Sequence, residues 1–202
     1  LIAPRVQTHE EIKAALDMVD MDDAIRAVIV TGADRAFCAG TDLSEGFDLP
    51  TGGNPATGED VPPDVGGEVT LRLYAMRKPV IGAVNGVAAG FGVTFLLAMD
   101  HRIAVPDSRF LFPFVRRGIM PESCSSWFLP RLVGMGAALD WMLTGRAISC
   151  DEALSKGLID EVVAPEELMS RARAYAAELA AHCAPASIAV ARQLMWRMAA
   201  AP

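Results

Sequence analysis

Apolar and polar positions along the 202 residues change period several times, and each change marks an element. Glu10 to Met18 repeats at helical spacing, and Ala27 to Thr31 is a β-branched apolar run that stops at Gly32, a helix feeding a buried strand. Ala36 to Leu43 reads as a turn of small residues. It leads into Ser44 to Gly67, rich in Gly, Pro and acids and without apolar period, which predicts a long mobile loop. Glu68 to Met76 predicts a short amphipathic helix ended by Lys78-Pro79, and Val80 to Val84 a strand too apolar to face water. After a glycine-punctuated turn come a helix over Gly92 to Met99, a strand over His101 to Val105 and a shorter one over Arg109 to Phe112.

Beyond these, Ser125 to Leu132 and Gly136 to Leu143 predict helices, Ser149 and Glu152 have capping-box spacing, and Ile159 to Val163 is a last strand. The Ala-rich remainder, Glu166 to Ala200, is helical and broken at Pro185. Strands alternating with helices imply an α/β fold with largely parallel sheets.

Composition narrows the function. The chain is 52% hydrophobic, enough for a sizeable core. Its net charge is −7 and its 18 basic residues are scattered, which argues against a nucleic-acid surface. The longest apolar stretch, Val80 to Ala104, is interrupted by Asn85, Asp100, His101 and Arg102, so no membrane span of about 20 residues is expected. Cys38, Cys124, Cys150 and Cys183 lie far apart and share no ligand spacing with His9, His101 and His182, so no metal site is expected. Reduced, mostly buried thiols and a cytoplasmic location fit this usage, and Leu1 begins no signal peptide.

Two glycine-bearing turns follow strands and lead toward helices: Phe37-Cys38-Ala39-Gly40-Thr41-Asp42-Leu43 and Asn85-Gly86-Val87-Ala88-Ala89-Gly90-Phe91-Gly92. Free backbone N–H groups belong at such places and can be aimed at a developing negative charge. They can equally be two tight turns without a ligand. Neither a dinucleotide fingerprint nor a P-loop is present, because the second turn reads G-x-x-x-G-x-G and lacks the Lys-Ser/Thr ending.

The strings AFCAGTDL (Ala36 to Leu43) and KPVIGAVNGVAAGFG (Lys78 to Gly92) resemble the two signature segments of the crotonase (enoyl-CoA hydratase/isomerase) superfamily. The similarity continues through the PxxxSSxxLPRLVG-like run ending at Gly134, the segment Leu143 to Val163 and the helical tail, and so covers roughly Ala27 to Ala200. The resemblance implies a crotonase-like ββα spiral: a core over 1–140 with a short N-terminal part, then a mostly helical, oligomer-forming region over 141–202 with one short strand. It also implies an acyl-CoA thioester as substrate, no cofactor, and a homotrimer or hexamer. The family's usual N-terminal hairpin would precede Ile2, and a longer C-terminal helix would follow Ala201. The two oxyanion donors fall on the N–H groups of Thr41 and Phe91, with Ala36, Ala39, Gly40, Asp42, Leu43, Gly90, Thr94 and Phe114 around the substrate.

Proton handling discriminates within the family. Its hydratases hold two glutamates, one to activate water and one to manage the C2 proton, at positions matching Thr94 and Phe114. Neither residue can transfer a proton at neutral pH. Glu122, in Met120-Pro121-Glu122-Ser123-Cys124-Ser125-Ser126, instead resembles the single acid/base of the Δ3,Δ2-enoyl-CoA isomerase branch. Desolvation in an apolar pocket around Phe91 and Phe114 would lift its pKa toward neutrality. Its other reading is an acid favouring the dipole of the helix that begins near Ser125. Asp42 reads mainly as a helix cap, His101 as a structural hydrogen-bonding residue, and Trp127 and Trp141 as core. Met195 and Met198 cover either a neighbouring subunit or this chain's own core. Alternatives to an isomerase are an enoyl-CoA hydratase, another crotonase-type activity on a CoA thioester, and a non-catalytic acyl-CoA binder or assembly subunit.

Overall fold

Helix α1 (Val6–Met21) forms because Ile12, Leu16 and Val19 fall on one face, and it packs that face on the core. The computed structural model describes residues 6–40 and 64–199. Strands β1 (Val28–Thr31) and β2 (Ala36–Cys38) follow, then helix α2 (Val65–Ala75). The two helices lie together: Arg72 of α2 meets Asp20 of α1 at 3.0 Å, and Lys13 of α1 pairs with Glu68.

Next come β3 (Val80–Val84), β4 (Val87–Ala89), α3 (Phe91–Leu96), β5 (His101–Ala104) and β6 (Arg109–Leu111). All five residues of β3 are buried, as an uninterrupted apolar run requires. It lies between β1 and β5, parallel to both, with β8 (Glu161–Val162) beyond β5. A second four-stranded sheet runs β2-β4-β6-β7, where β7 is Ala147–Ser149. Strands β1 to β6 alternate between the sheets, and a helix follows each pair, so this part of the chain winds as ββα turns in a spiral. The crotonase-like α/β expectation holds.

Several boundaries differ from the sequence pattern. The segments expected as plain turns contain β2 and β4, three residues each. Runs of three residues are too short to show a period of two, and only pairing in the second sheet makes them strands. Strand β7 is a further three-residue strand of this kind, so 141–202 holds two strands rather than one. It joins β6 antiparallel, the exception to parallel pairing. The expected strand over Ile159 to Val163 shortens to Glu161–Val162, and α3 stops at Leu96 rather than Met99. The expected loop ends early, because Asp64 caps α2 by accepting the Gly66 N–H at 3.0 Å; residues 41–63 lie outside the described residues.

Helices α4 (Ser125–Val133), α5 (Met135–Thr144) and α6 (Cys150–Lys156) follow the predicted pattern, as do α7 (Leu168–His182) and α8 (Pro185–Met198), separated before Pro185. Ser149 caps α6 by accepting the Glu152 N–H, whereas the Glu152 carboxylate turns to Arg146 and the Trp141 indole. Trp141 is wholly buried, and Trp127 packs among Tyr74, Phe128 and Trp196. All four thiols are free; Cys150 is buried and the other three are partly buried, Cys38 and Cys124 against the core. His101 is bonded to Glu161 and stacked on Tyr175. No helix of the described residues is long and apolar enough to cross a membrane.

Candidate active site

Parallel pairing of β2 with β4 sets the carboxyl ends of the two strands side by side. Consequently Ala39-Gly40 and Ala89-Gly90, far apart in sequence, become neighbours. Gly40 has φ 90° and Gly90 φ 53°, both in the region that side chains disfavour. A Cβ on Gly40 would stand 2.9 Å from the Ala89 carbonyl oxygen. Asn85 braces the crossing from below: its side chain accepts the Gly32 N–H and donates to the carbonyls of Gly32 and Asp34.

Phe91 opens α3, where a backbone N–H has no intrahelical acceptor, and no described residue accepts it. Its ring is buried against His9, at 4.4 Å between centroids, and Phe95, at 5.3 Å. The other expected donor, Thr41, lies outside the described residues with Asp42 and Leu43. Ala36 and Ala39 are half-buried on and just after β2. The Thr94 hydroxyl donates within α3, to the carbonyls of Gly90 and Phe91, each at 3.2 Å. Phe114 is buried at the head of the 3-10 turn Val115–Arg117 and belongs to the same core cluster as Phe91.

Glu122 stands in the turn before α4. Its carbonyl accepts both the N–H and the hydroxyl of Ser125. Its carboxylate accepts no hydrogen bond from the described residues, and the N-cap of α4 is Cys124, so this carboxylate does not cap the helix. Burial, reinforced by the negative charge of Asp64, pushes the Glu122 carboxyl up to about 7. Such a group exchanges protons readily at neutral pH.

Gly66 joins the two halves of the site. A Cβ there would stand 2.3 Å from Ser123 Oγ and 3.1 Å from Phe91 Cδ2, so the residue beside Glu122 and the residue bearing the free N–H press on the same glycine. Asp64 and Gly66 are missing from the sequence-based site because the glycines around them resemble a loop. The signal was present as an Asp at N-cap spacing before Val65 and the amphipathic residues of α2. An apolar cavity of about 300 Å³ adjoins Phe91, lined also by Ile12, Val19, Val30, Phe37 and Cys38. His9, which packs on Phe91 from α1, was likewise not singled out as a site residue.

Residues 3–201 match the family model "Enoyl-CoA hydratase/isomerase". The chain is 37% identical over 188 residues to "Enoyl-CoA hydratase ACTT3" of Alternaria alternata, covering 93% of this chain but 62% of that protein. It is 39% identical over 174 residues to "1,2-epoxyphenylacetyl-CoA isomerase" of Escherichia coli K12, covering 86% of this chain and 66% of the relative. A solved enoyl-CoA hydratase subunit from Geobacillus kaustophilus superposes with a TM-score of 0.85 at 30% identity, over 99% of this chain and 75% of that one. With two interleaved sheets, abutting glycine turns and this match over nearly its whole length, the chain belongs to the enoyl-CoA hydratase/isomerase family of the crotonase superfamily.

Proposed function

We propose that this protein shifts the double bond of a 3-enoyl-CoA to the 2-position. The Glu122 carboxylate takes a C2 proton, and the electrons of that C–H bond move into the thioester carbonyl to give a dienolate. The N–H groups of Thr41 and Phe91 hold its oxygen. Collapse of the dienolate then takes the proton from Glu122 at C4, leaving the double bond between C2 and C3. One oxyanion donor of this kind contributes about 2.7–4 kcal/mol to transition-state stabilisation. The chemistry itself calls for no redox cofactor, and the CoA thioester is substrate.

The observation that carries this reading is the carboxyl of Glu122: half-buried, without a hydrogen-bond donor among the described residues, and poised near pKa 7. Thr94 and Phe114 supply no second proton-transfer group. A second reading, water addition to a 2-enoyl-CoA, is favoured by relatives that carry the name enoyl-CoA hydratase. Purified protein offered 3-enoyl-CoA and 2-enoyl-CoA separates the two. Isomerisation abolished by Glu122→Gln is the expected result. Hydration of 2-enoyl-CoA, or isomerisation intact in the variant, would sink the proposal; binding without turnover would make the protein an acyl-CoA binder.

The same reading includes a homotrimer or hexamer in a reducing cytoplasm. Val190, Leu194 and Met198 recur on one face of α8 and are exposed, with Met195 beside them 73% exposed, so this chain's own core does not cover that stripe. Light scattering on the eluted protein is expected to give three or six times the chain mass, and a monomer would remove the assembly from the proposal.

A further inference from the structure

We infer that Asp64 is a positioning residue for Glu122, locking the turn that carries the glutamate to the head of α2 and presenting a second negative charge to it. The inference deepens the isomerase reading and rests on it. Its geometry is independent of that reading. One carboxylate oxygen of Asp64 accepts the Gly66 N–H at 3.0 Å, and the other accepts the N–H of Ser123, the residue next to Glu122. A single side chain therefore closes the helix start and the acid/base turn together.

The turn requires such a clamp. Ser123 and Cys124 have φ of 54° and 56°, the only non-glycine residues with positive φ among those described. Two consecutive non-glycine residues in that region are strained, and such conformations persist where surrounding contacts over-determine them. Gly66 completes the arrangement, since any side chain there would strike Ser123 Oγ. Among the described residues Asp64 accepts the two backbone N–H groups and makes no ion pair. The titratable neighbours of this corner are Asp64 from α2, the Cys124 thiol from the turn itself and His9 from α1, behind the Phe91 ring. Of these, Asp64 is the one that adds to burial in raising the Glu122 carboxyl.

Two roles follow. The N–H clamp fixes where the carboxylate sits, and the like charge keeps it protonated to higher pH than burial alone would. Asp64→Asn keeps one acceptor oxygen, so it removes the charge and one of the two N–H bonds, whereas Asp64→Ala removes the charge and both bonds. Side-chain carboxyl 13C NMR, with the Glu122 signal assigned by its loss in Glu122→Gln, reads the coupling without any substrate. In Asp64→Asn the Glu122 midpoint is expected to move down by about half a unit or more. For 3-enoyl-CoA isomerisation, the limb of kcat/KM is expected to move with it, and Asp64→Ala is expected to lose about tenfold or more in kcat. An unmoved Glu122 midpoint in Asp64→Asn overturns the electrostatic role, and full kcat in Asp64→Ala overturns the clamp. Should alanine unfold the head of α2, the asparagine titration still decides. Isomerase activity surviving in Glu122→Gln would refute the function of Glu122 and leave the titration as the measure of its coupling to Asp64.

Discussion

Gly90 lies directly against Gly40, its missing Cβ only 3.6 Å from the Gly40 Cα, although the parallel pairing of β2 and β4 is all that joins them. Both have positive φ. The close approach sets the Phe91 N–H beside the residue that precedes Thr41.

Gly40→Ala should therefore damage chemistry more than stability. The new Cβ meets the Ala89 carbonyl at 2.9 Å and forces φ away from 90°, displacing the strand end on which Phe91 depends. Because loss of an oxyanion donor costs about 100- to 1,000-fold in kcat, a partial displacement is expected to cost about 10- to 100-fold. Steady-state kinetics with 3-enoyl-CoA, set beside a thermal melt, checks the split; unchanged kcat would place the reaction elsewhere.

The pH profile of kcat/KM should rise through about 7, the point to which Glu122 is pushed, because the base must be ionised. Stability has the opposite dependence. A carboxyl whose pKa is raised from 4.5 by folding contributes most below its unfolded value, and that contribution is lost as pH rises through about 7. Glu122→Gln, inactive as an isomerase, is thus expected to melt about 2–4 °C above the parent at pH 8 and level with it at pH 4. Equal melting temperatures at both pH values would count against a buried carboxylate at this position.

Gly66→Ala tests the corner shared by Phe91 and Ser123. Its Cβ would overlap Ser123 Oγ at 2.3 Å, and Ser123 is fully buried, so the turn bearing Glu122 must move. A loss of at least about tenfold in kcat is expected, with a smaller change in KM, measured against the parent at the pH optimum. Kinetics indistinguishable from the parent would show that the corner tolerates displacement.

Arg192 should prove indispensable to folding. Only 7% exposed, it pairs with Asp100 at 2.8 Å and donates to the carbonyls of Leu73, Tyr74, Met76 and Ala98, closing the ends of α2 and α3 from α8. Arg192→Leu strips Asp100 of its cation and the Leu73 and Ala98 carbonyls of this donor, although Gln193 still reaches Tyr74 and Met76, a loss of about 3–5 kcal/mol. Urea denaturation reads it directly, and Arg192→Lys should rescue little, because an ammonium cannot span four carbonyls as a guanidinium fork does.

The sequence by itself determined the long elements and the family. Val80 to Val84 is apolar throughout and could only be a buried strand, Pro185 could only interrupt a helix, and the two glycine strings with Glu122 carried the resemblance and the candidate acid/base. Those features are local, written in period, composition or a backbone restriction of a single residue. The tertiary structure alone decided that β2, β4 and β7 are strands, because a run of three residues acquires that state from the partner that pairs with it. It alone decided that Gly66 is a packing glycine and that the Asp64 carboxylate reaches Ser123, since a contact between residues 59 apart in sequence leaves no mark in either segment. The proton-handling group was legible in the chain; the residue that holds it in place became visible only when α2 and the turn before α4 were folded against each other.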